Sequence, residues 1–218
     1  MGAYPAEFNV DYPEGEIGRL SALWRSVSVA AIIVGTTLMI AVPTDLIRLG
    51  ENLKLIVILL TVLYFVTQVL PYFLPLPPLL MLLFRKRYPR WWYNLVFKAL
   101  VYSARVGLYL LLMMDRYPSS DANQHFRLDV PFPDSRRLNR YLPLVKWLLA
   151  APHYIWVTVL SIVWLAITPV VWIAVLATGR HPKALFAFSE GYFRYLLRVF
   201  AYAFFLTTDR YPSFRLRP

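Results

Sequence analysis

Cysteine is absent from this 218-residue chain. That removes disulfides, thiolate metal sites and cysteine nucleophiles. Glycine is scarce at eight residues, and no Gly-rich phosphate loop occurs. Histidine occurs three times, as His125, His153 and His181. No pair has the spacing of a shared metal site, and no HExxH-type pairing is present. His125 and His181 lie in polar connections. Only His153 begins a helix, and it reads as an interfacial hydrogen-bonding residue rather than an axial haem ligand. No serine or aspartate comes with a positioned base. The sequence therefore carries no catalytic set, no metal site and no cofactor site. Acidic residues are outnumbered 12 to 23, for a net charge of +11. No nucleic-acid motif accompanies that charge, so nucleic acid is not an expected partner. The basic residues flank apolar runs, which makes anionic lipid headgroups the better match. A basic n-region is also missing: Glu7, Asp11, Glu14 and Glu16 precede the first apolar run, which argues against a cleaved signal peptide and for a retained first helix.

What is abundant is apolar and aromatic. Hydrophobic residues make up 59% of the chain and mean hydropathy is +0.51, above the 45–50% apolar content usual for soluble domains. Seven Trp and fifteen Tyr favour a bilayer interface. Apolar runs at 26–43, 55–74, about 91–114, 153–177 and 185–207 predict an all-α integral membrane protein with about four to five transmembrane helices. Arg136, Arg137, Arg140 and Lys146 share a segment with Leu138, Leu142, Val145, Leu148 and Leu149, the pattern of a basic amphipathic helix in the headgroup plane. Pro152 ends or kinks it, and Pro169 is expected to kink the helix that follows. Arg85, Lys86 and Arg87 form a second basic interfacial turn. Three pieces alternate apolar and polar residues: Phe8 to Pro13, Phe126 to Pro131 and Phe214 to Arg217. They either pair into a small extramembrane sheet or lie as extended coil.

The chain also repeats itself. Residues 98–119 and 191–213 both read as an apolar helix interrupted by arginine. Each closes on the same run, Asp115-Arg116-Tyr117-Pro118-Ser119 and Asp209-Arg210-Tyr211-Pro212-Ser213. Inside the helices Arg105, Val106 and Tyr109 answer Arg198, Val199 and Tyr202, and upstream Arg87-Tyr88-Pro89 answers Arg180-His181-Pro182. The expected organisation is an internally duplicated helical unit. Residues 1–120 form the first membrane repeat, with an extra helix, and residues 121–218 form the second. The two Asp-Arg-Tyr-Pro runs read as structural turns.

The second repeat resembles a family of bacterial membrane proteins, the domain of unknown function 4389. The likeness rests on Phe126-Arg127-Leu128-Asp129-Val130-Pro131, Leu149-Ala150-Ala151-Pro152-His153, Thr178-Gly179-Arg180-His181-Pro182, Leu185-Phe186-Ala187-Phe188, Arg198-Val199-Phe200-Ala201-Tyr202 and the ending Leu206 to Phe214. It covers about residues 126–214 well, and the first repeat resembles the family as a more diverged copy. What the resemblance implies is a membrane location; together with the apolar runs, the expected location is the bacterial inner (cytoplasmic) membrane in multi-pass form. It supplies no catalytic residue and no substrate.

Charged residues inside apolar helices are the sharpest site signal. Glu190, Arg194 and Arg198 recur every four residues on one helix face, and Asn94, Lys98 and Arg105 make a similar stripe. Lys98, Arg105, Arg194 and Arg198 are thus candidates for binding a lipid phosphate or another anion. The structural alternative is that these arginines snorkel or pair with carboxylates such as Glu190. The functional expectation is a non-enzymatic membrane accessory or scaffold subunit, packed against lipids and other integral membrane proteins in a larger complex. The alternative is an oligomeric channel or transporter for an anion, built on Arg105 and Arg198.

Overall fold

A computed structural model of the chain describes residues 4–13, 15, 17–28, 73–114 and 126–217. The apolar run 26–43 and the run 55–74 lie almost wholly outside the described residues. So do the first Asp-Arg-Tyr-Pro turn, the polar stretch 119–124 between the two expected repeats, and His125.

Strand β1 (Glu7–Val10) comes first, and residues 19–28 are helical. Helix α1 (Leu76–Arg85) and helix α2 (Arg90–Leu110) are separated by the Lys86 turn, where φ is 51°. Strand β2 (Phe126–Asp129) leads to helix α3 (Pro143–Leu149), helix α4 (Ala151–Thr178) and helix α5 (Lys183–Ala203). β1 and β2 pair antiparallel, with Phe8 opposite Leu128 and Val10 opposite Phe126. Phe8 and Val10 point into the core while Glu7 and Asn9 face out, as period-two alternation requires. The third alternating piece, 214–217, is not a strand. It lies along α5, and its carbonyls are taken up by arginine side chains.

The expectation of an all-α protein with four to five membrane crossings is corrected here. Among the described residues one helix, α4, is long and apolar enough to cross a membrane, and a two-stranded sheet accompanies the helices. At 1.5 Å per residue its 28 residues reach about 42 Å, beyond the ~30 Å hydrocarbon core. α2 and α5 have 21 residues each but fall short for chemical reasons. α5 carries Glu190, Arg194 and Arg198 in its centre, and α2 dilutes its apolar residues with Trp, Tyr, Asn, Ser, Lys98 and Arg105. α5 is covered by protein instead: twelve of its residues are buried.

Local chemistry sets the helix ends. Pro152 sits in the first turn of α4, where a missing N–H costs nothing, and so separates it from α3. Gly179 closes α4 at φ 72°, its N–H on the Val175 carbonyl at 2.7 Å. Pro89 and Pro182 occupy the same capping position before α2 and α5. Pro169 stands inside α4, where it offers no N–H to the preceding turn. The expected amphipathic helix from 136 is shorter than predicted. Residues 135–142 form turns and α3 begins at Pro143.

The principal core joins both ends of the chain. Phe8 and Val10 of β1, Leu82 of α1, Val96 and Leu108 of α2, and Phe186, Leu197 and Ala201 of α5 are all buried in one cluster. Phe205, just past α5, stacks on Tyr93 with ring centroids 5.3 Å apart.

Candidate functional site

Of the four residues that sequence marked as ligand candidates, Arg194 and Arg198 lie on α5 and Lys98 and Arg105 on α2. Glu190, Arg194 and Arg198 do share one face, and two chain segments lie along it. On one side is β1: Arg194 Nε donates to the Phe8 carbonyl at 2.9 Å, and the Val10 N–H donates to Glu190 Oε1 at 3.3 Å. On the other is the C-terminal tail. Arg194 Nη1 donates to the Leu216 carbonyl at 3.3 Å, and Arg198 donates to the Arg215 and Arg217 carbonyls at 3.0 and 3.3 Å. Within the helix Arg194 Nη2 meets Glu190 Oε1 at 2.6 Å, an ion pair whose side chains are 10% and 16% exposed. Gly191 makes the approach of the tail possible, since a Cβ there would stand 3.1 Å from both the Leu216 Cβ and its carbonyl oxygen.

The N-terminal segment runs antiparallel to α5 for its whole length. The Tyr4 hydroxyl faces the carbonyls of Arg198 and Arg210, each at 3.2 Å. Burial pushes that phenol well above its ordinary range. At the other end the Tyr12 hydroxyl donates to the His181 carbonyl, and the Ile17 N–H to the Gly179 carbonyl at 2.8 Å. His181 is 2% exposed, its ring edge-on to Phe186 at 5.4 Å. Burial holds its imidazole below the usual histidine value, against a smaller upward pull from the Pro182 carbonyl.

A further buried cation, Lys146 of α3, lies against the chain just past α5. Lys146, expected on the exposed face of an amphipathic helix, has no exposed surface. Its ammonium pairs with Asp209 Oδ1 at 2.7 Å, donates to the Thr208 carbonyl at 2.7 Å and sits over the Tyr202 ring at 5.3 Å. Burial lowers its pKa, and the bond to Asp209 pulls the other way. The second Asp-Arg-Tyr-Pro turn is thus tied in. Asp209 also accepts from the Asn139 N–H at 2.6 Å, and the Tyr211 hydroxyl reaches the Leu149 carbonyl at 3.2 Å.

The first half of the chain contains a matching arrangement. Arg25, from the helical residues 19–28, donates to the Met114 carbonyl at 2.9 Å and lies 3.7 Å from the centre of the Tyr109 ring. Met114 immediately precedes Asp115 as Thr208 precedes Asp209, and Tyr109 answers Tyr202. Sequence reading missed Arg25. The signal available was a basic residue in the apolar segment upstream of each Asp-Arg-Tyr-Pro run.

The remaining expected residues are scattered. Lys98 is exposed on α2. Arg105 is half-buried, its guanidinium 5.8 Å from the centre of the Phe126 ring. Arg85, Lys86 and Arg87 are exposed at the end of α1. Arg140 reaches across to the last carbonyls of that helix, on Leu83 and on Phe84 at 3.3 Å, a favourable place for a cation. Arg136 is exposed, and Arg137 makes an exposed pair with Asp134 at 3.4 Å, a contact of little energetic weight. His153 has no exposed surface: its Nδ1 lies 2.5 Å from the Tyr195 hydroxyl and its ring stacks on Phe214 at 4.2 Å. Among the described residues no cluster of three potential metal ligands occurs.

These features define a helical framework locked by buried cations, with one helix among the described residues suited to a membrane. Residues 143–215 match the family model described as domain of unknown function (DUF4389). The matched stretch spans α3, α4, α5 and most of the tail clamped by Arg194 and Arg198. No curated protein and no solved structure matches the chain.

Proposed function

We propose that this protein is a non-enzymatic accessory or scaffold subunit at a membrane, anchored through α4 and associated with other membrane proteins and anionic lipids. The observation that carries the reading is the surface of α4. Only 22% of its most apolar stretch is buried within the chain. Ile155, Ile162, Leu165 and Ile173 are each more than half exposed, and Trp147 on the neighbouring α3 is 60% exposed. An apolar surface of that kind marks a lipid or protein contact. The membrane we assign is the bacterial inner (cytoplasmic) membrane, on the family resemblance.

The scaffold is built, in this reading, from two diverged copies of one unit. What supports it is reciprocity between the halves. Phe8-Asn9-Val10-Asp11-Tyr12-Pro13 and Phe126-Arg127-Leu128-Asp129-Val130-Pro131 share Phe, Asp and Pro at the same spacing, so Asn9 answers Arg127, and these two are register partners in the sheet. An antiparallel pair centred on matched residues is what a two-fold relation between copies produces. The contacts also cross over. Tyr12 packs on Phe186 at 5.1 Å, while Val130, its counterpart, accepts from the Tyr93 hydroxyl, and Tyr93 is the counterpart of Phe186. Each strand thus docks on the other half's long helix.

The alternative, an anion channel using Arg105 and Arg198, has less support, because Arg198 already donates to two backbone carbonyls. The test is extraction of the native protein in mild detergent. The scaffold reading expects co-migration with at least one other membrane protein or with further copies of itself; a solitary monomer would sink it.

A further inference from the structure

Between α2 and α5, beneath the sheet, lies an apolar cavity of about 400 Å³. This is within the range of small-molecule pockets, roughly 300–1,000 Å³. One wall is Leu100, Ser103 and Ala104 of α2, and the facing wall is Phe193, Leu196 and Leu197 of α5. These six are counterparts at one constant offset, so the cavity sits where the two halves meet. Phe8 and Leu128, opposite each other in the sheet, form the roof, and Tyr154 and Val157 of α4 close one side.

The cavity exists because the halves differ. Where α5 has Leu196 and Leu197, α2 has the small pair Ser103 and Ala104. Had α2 kept leucines, their branched side chains would fill the gap. Among the described lining residues only Ser103 and Tyr154 carry a side-chain polar atom, and Ser103 is exposed. A small polar molecule would find nothing to replace its water. A hydrocarbon chain loses no hydrogen bond on entering and gains the full benefit of apolar burial. Such a space is also not a natural place for water. α4, which closes one side, is the helix we assign to the bilayer, so lipid tails would be its immediate neighbours.

We infer that this cavity holds one acyl chain of a bilayer phospholipid, wedged between the two halves. The inference rests on the placement of α4 in a membrane. The experiment uses the full chain purified in mild detergent, with bound lipid counted and identified by native mass spectrometry. The wild type should retain one phospholipid through delipidating washes. The double substitution Ser103→Leu/Ala104→Leu should reduce retention at least tenfold without lowering Tm, because it fills a void rather than crowding a packed core. No retained lipid in the wild type, a free fatty acid in place of phospholipid, or equal retention by the variant overturns the proposal.

A second measurement needs no variant. The wild-type protein is reconstituted in phosphatidylglycerol nanodiscs doped with a phospholipid bearing a photoreactive group on its acyl chain. Labelling of the peptides that contain Leu100–Ala104 or Phe193–Leu197 supports the inference. Labelling confined to Ile162, Ile173 and their neighbours overturns it while leaving α4 in the bilayer. Labelling of neither region removes both assignments.

Discussion

α2 and α5 begin alike and live differently. Both have 21 residues, both start after a proline, and both carry an arginine and a tyrosine at matching positions. On α5 twelve residues are buried; on α2 only Val96 and Leu108 are. What separates them is the residue pair one helical turn apart, Glu190 and Arg194, for which α2 offers Phe97 and Val101. A guanidinium has five donors in a planar fork. On α5 two such groups bind carbonyls of β1 and of the tail, so two strips of chain that lack ladder partners on those edges are satisfied by side chains. A charged stripe in an apolar helix is therefore not in itself a ligand site. It can be the way a helix recruits irregular backbone.

The strongest way to break the contrast is to remove the clamp. Arg194→Ala leaves Glu190 without its cation and the Phe8 carbonyl without its donor, a class of change that costs about 3–5 kcal/mol. Chemical denaturation should show that loss, whereas Val101→Ala at the matching place on α2 should cost less than about 1.5 kcal/mol. Equal effects would mean that the arginine does not hold β1.

Next in size is the buried ammonium. Lys146→Met keeps the bulk of the side chain but takes the donor from the Thr208 carbonyl and the partner from Asp209. Because Asp209 is 25% exposed and keeps the Asn139 N–H, we expect a loss of about 1–3 kcal/mol. Proteolysis should then cut after Arg210 faster than in the wild type. Unchanged cutting would count against the turn being tethered by Lys146.

A smaller effect sharpens the comparison through glycine. Gly191→Ala places a methyl 3.1 Å from Leu216 and should cost about 1 kcal/mol as the tail shifts. Gly107→Ala on α2 meets nothing within 4 Å and should gain up to about 1 kcal/mol from helix propensity. Opposite signs of the Tm shift are the expected outcome.

The smallest effect is a pH dependence confined to one half. His181 and Tyr88 hold matching places before a helix-capping proline, and both are buried. The folded state keeps the His181 imidazole below its ordinary value of 6.5, so the unfolded chain takes up the proton first. Stability should therefore be lost as pH falls below about 6.5 and be insensitive to His181 above it. Tyr88 is pushed up by burial and does not titrate in that window. His181→Phe should flatten the Tm slope between pH 5 and 7, and an unchanged slope would remove His181 from the account.

The period-two pieces at 8–13 and 126–131 were legible because alternation of apolar and polar residues is a local property, and the two do pair. The helix ends were legible too, because Pro89, Pro152, Pro182 and Gly179 act on their own backbone. The Glu190–Arg194–Arg198 stripe could be placed on one face from its spacing. What it faces could not, since its acceptors lie at residues 8 and 215–217, far along the chain. Lys146 was misread for the same reason: helical spacing says which residues share a face, not whether Asp209 will come to cover it.

Composition and local pattern by themselves determined an apolar, basic chain, its proline and glycine boundaries, and a family resemblance over 126–214 of which the family model matches 143–215; they offered five apolar runs as crossings, of which one described helix, α4, is long and apolar enough. Tertiary structure alone decided which helices are clothed by protein and which are left bare, because burial depends on partners distant in sequence. It also decided the fate of the cations. A guanidinium or ammonium taken from water must find acceptors at hydrogen-bond distance, and only the folded chain brings carbonyls from its two ends to Arg194, Arg198 and Lys146.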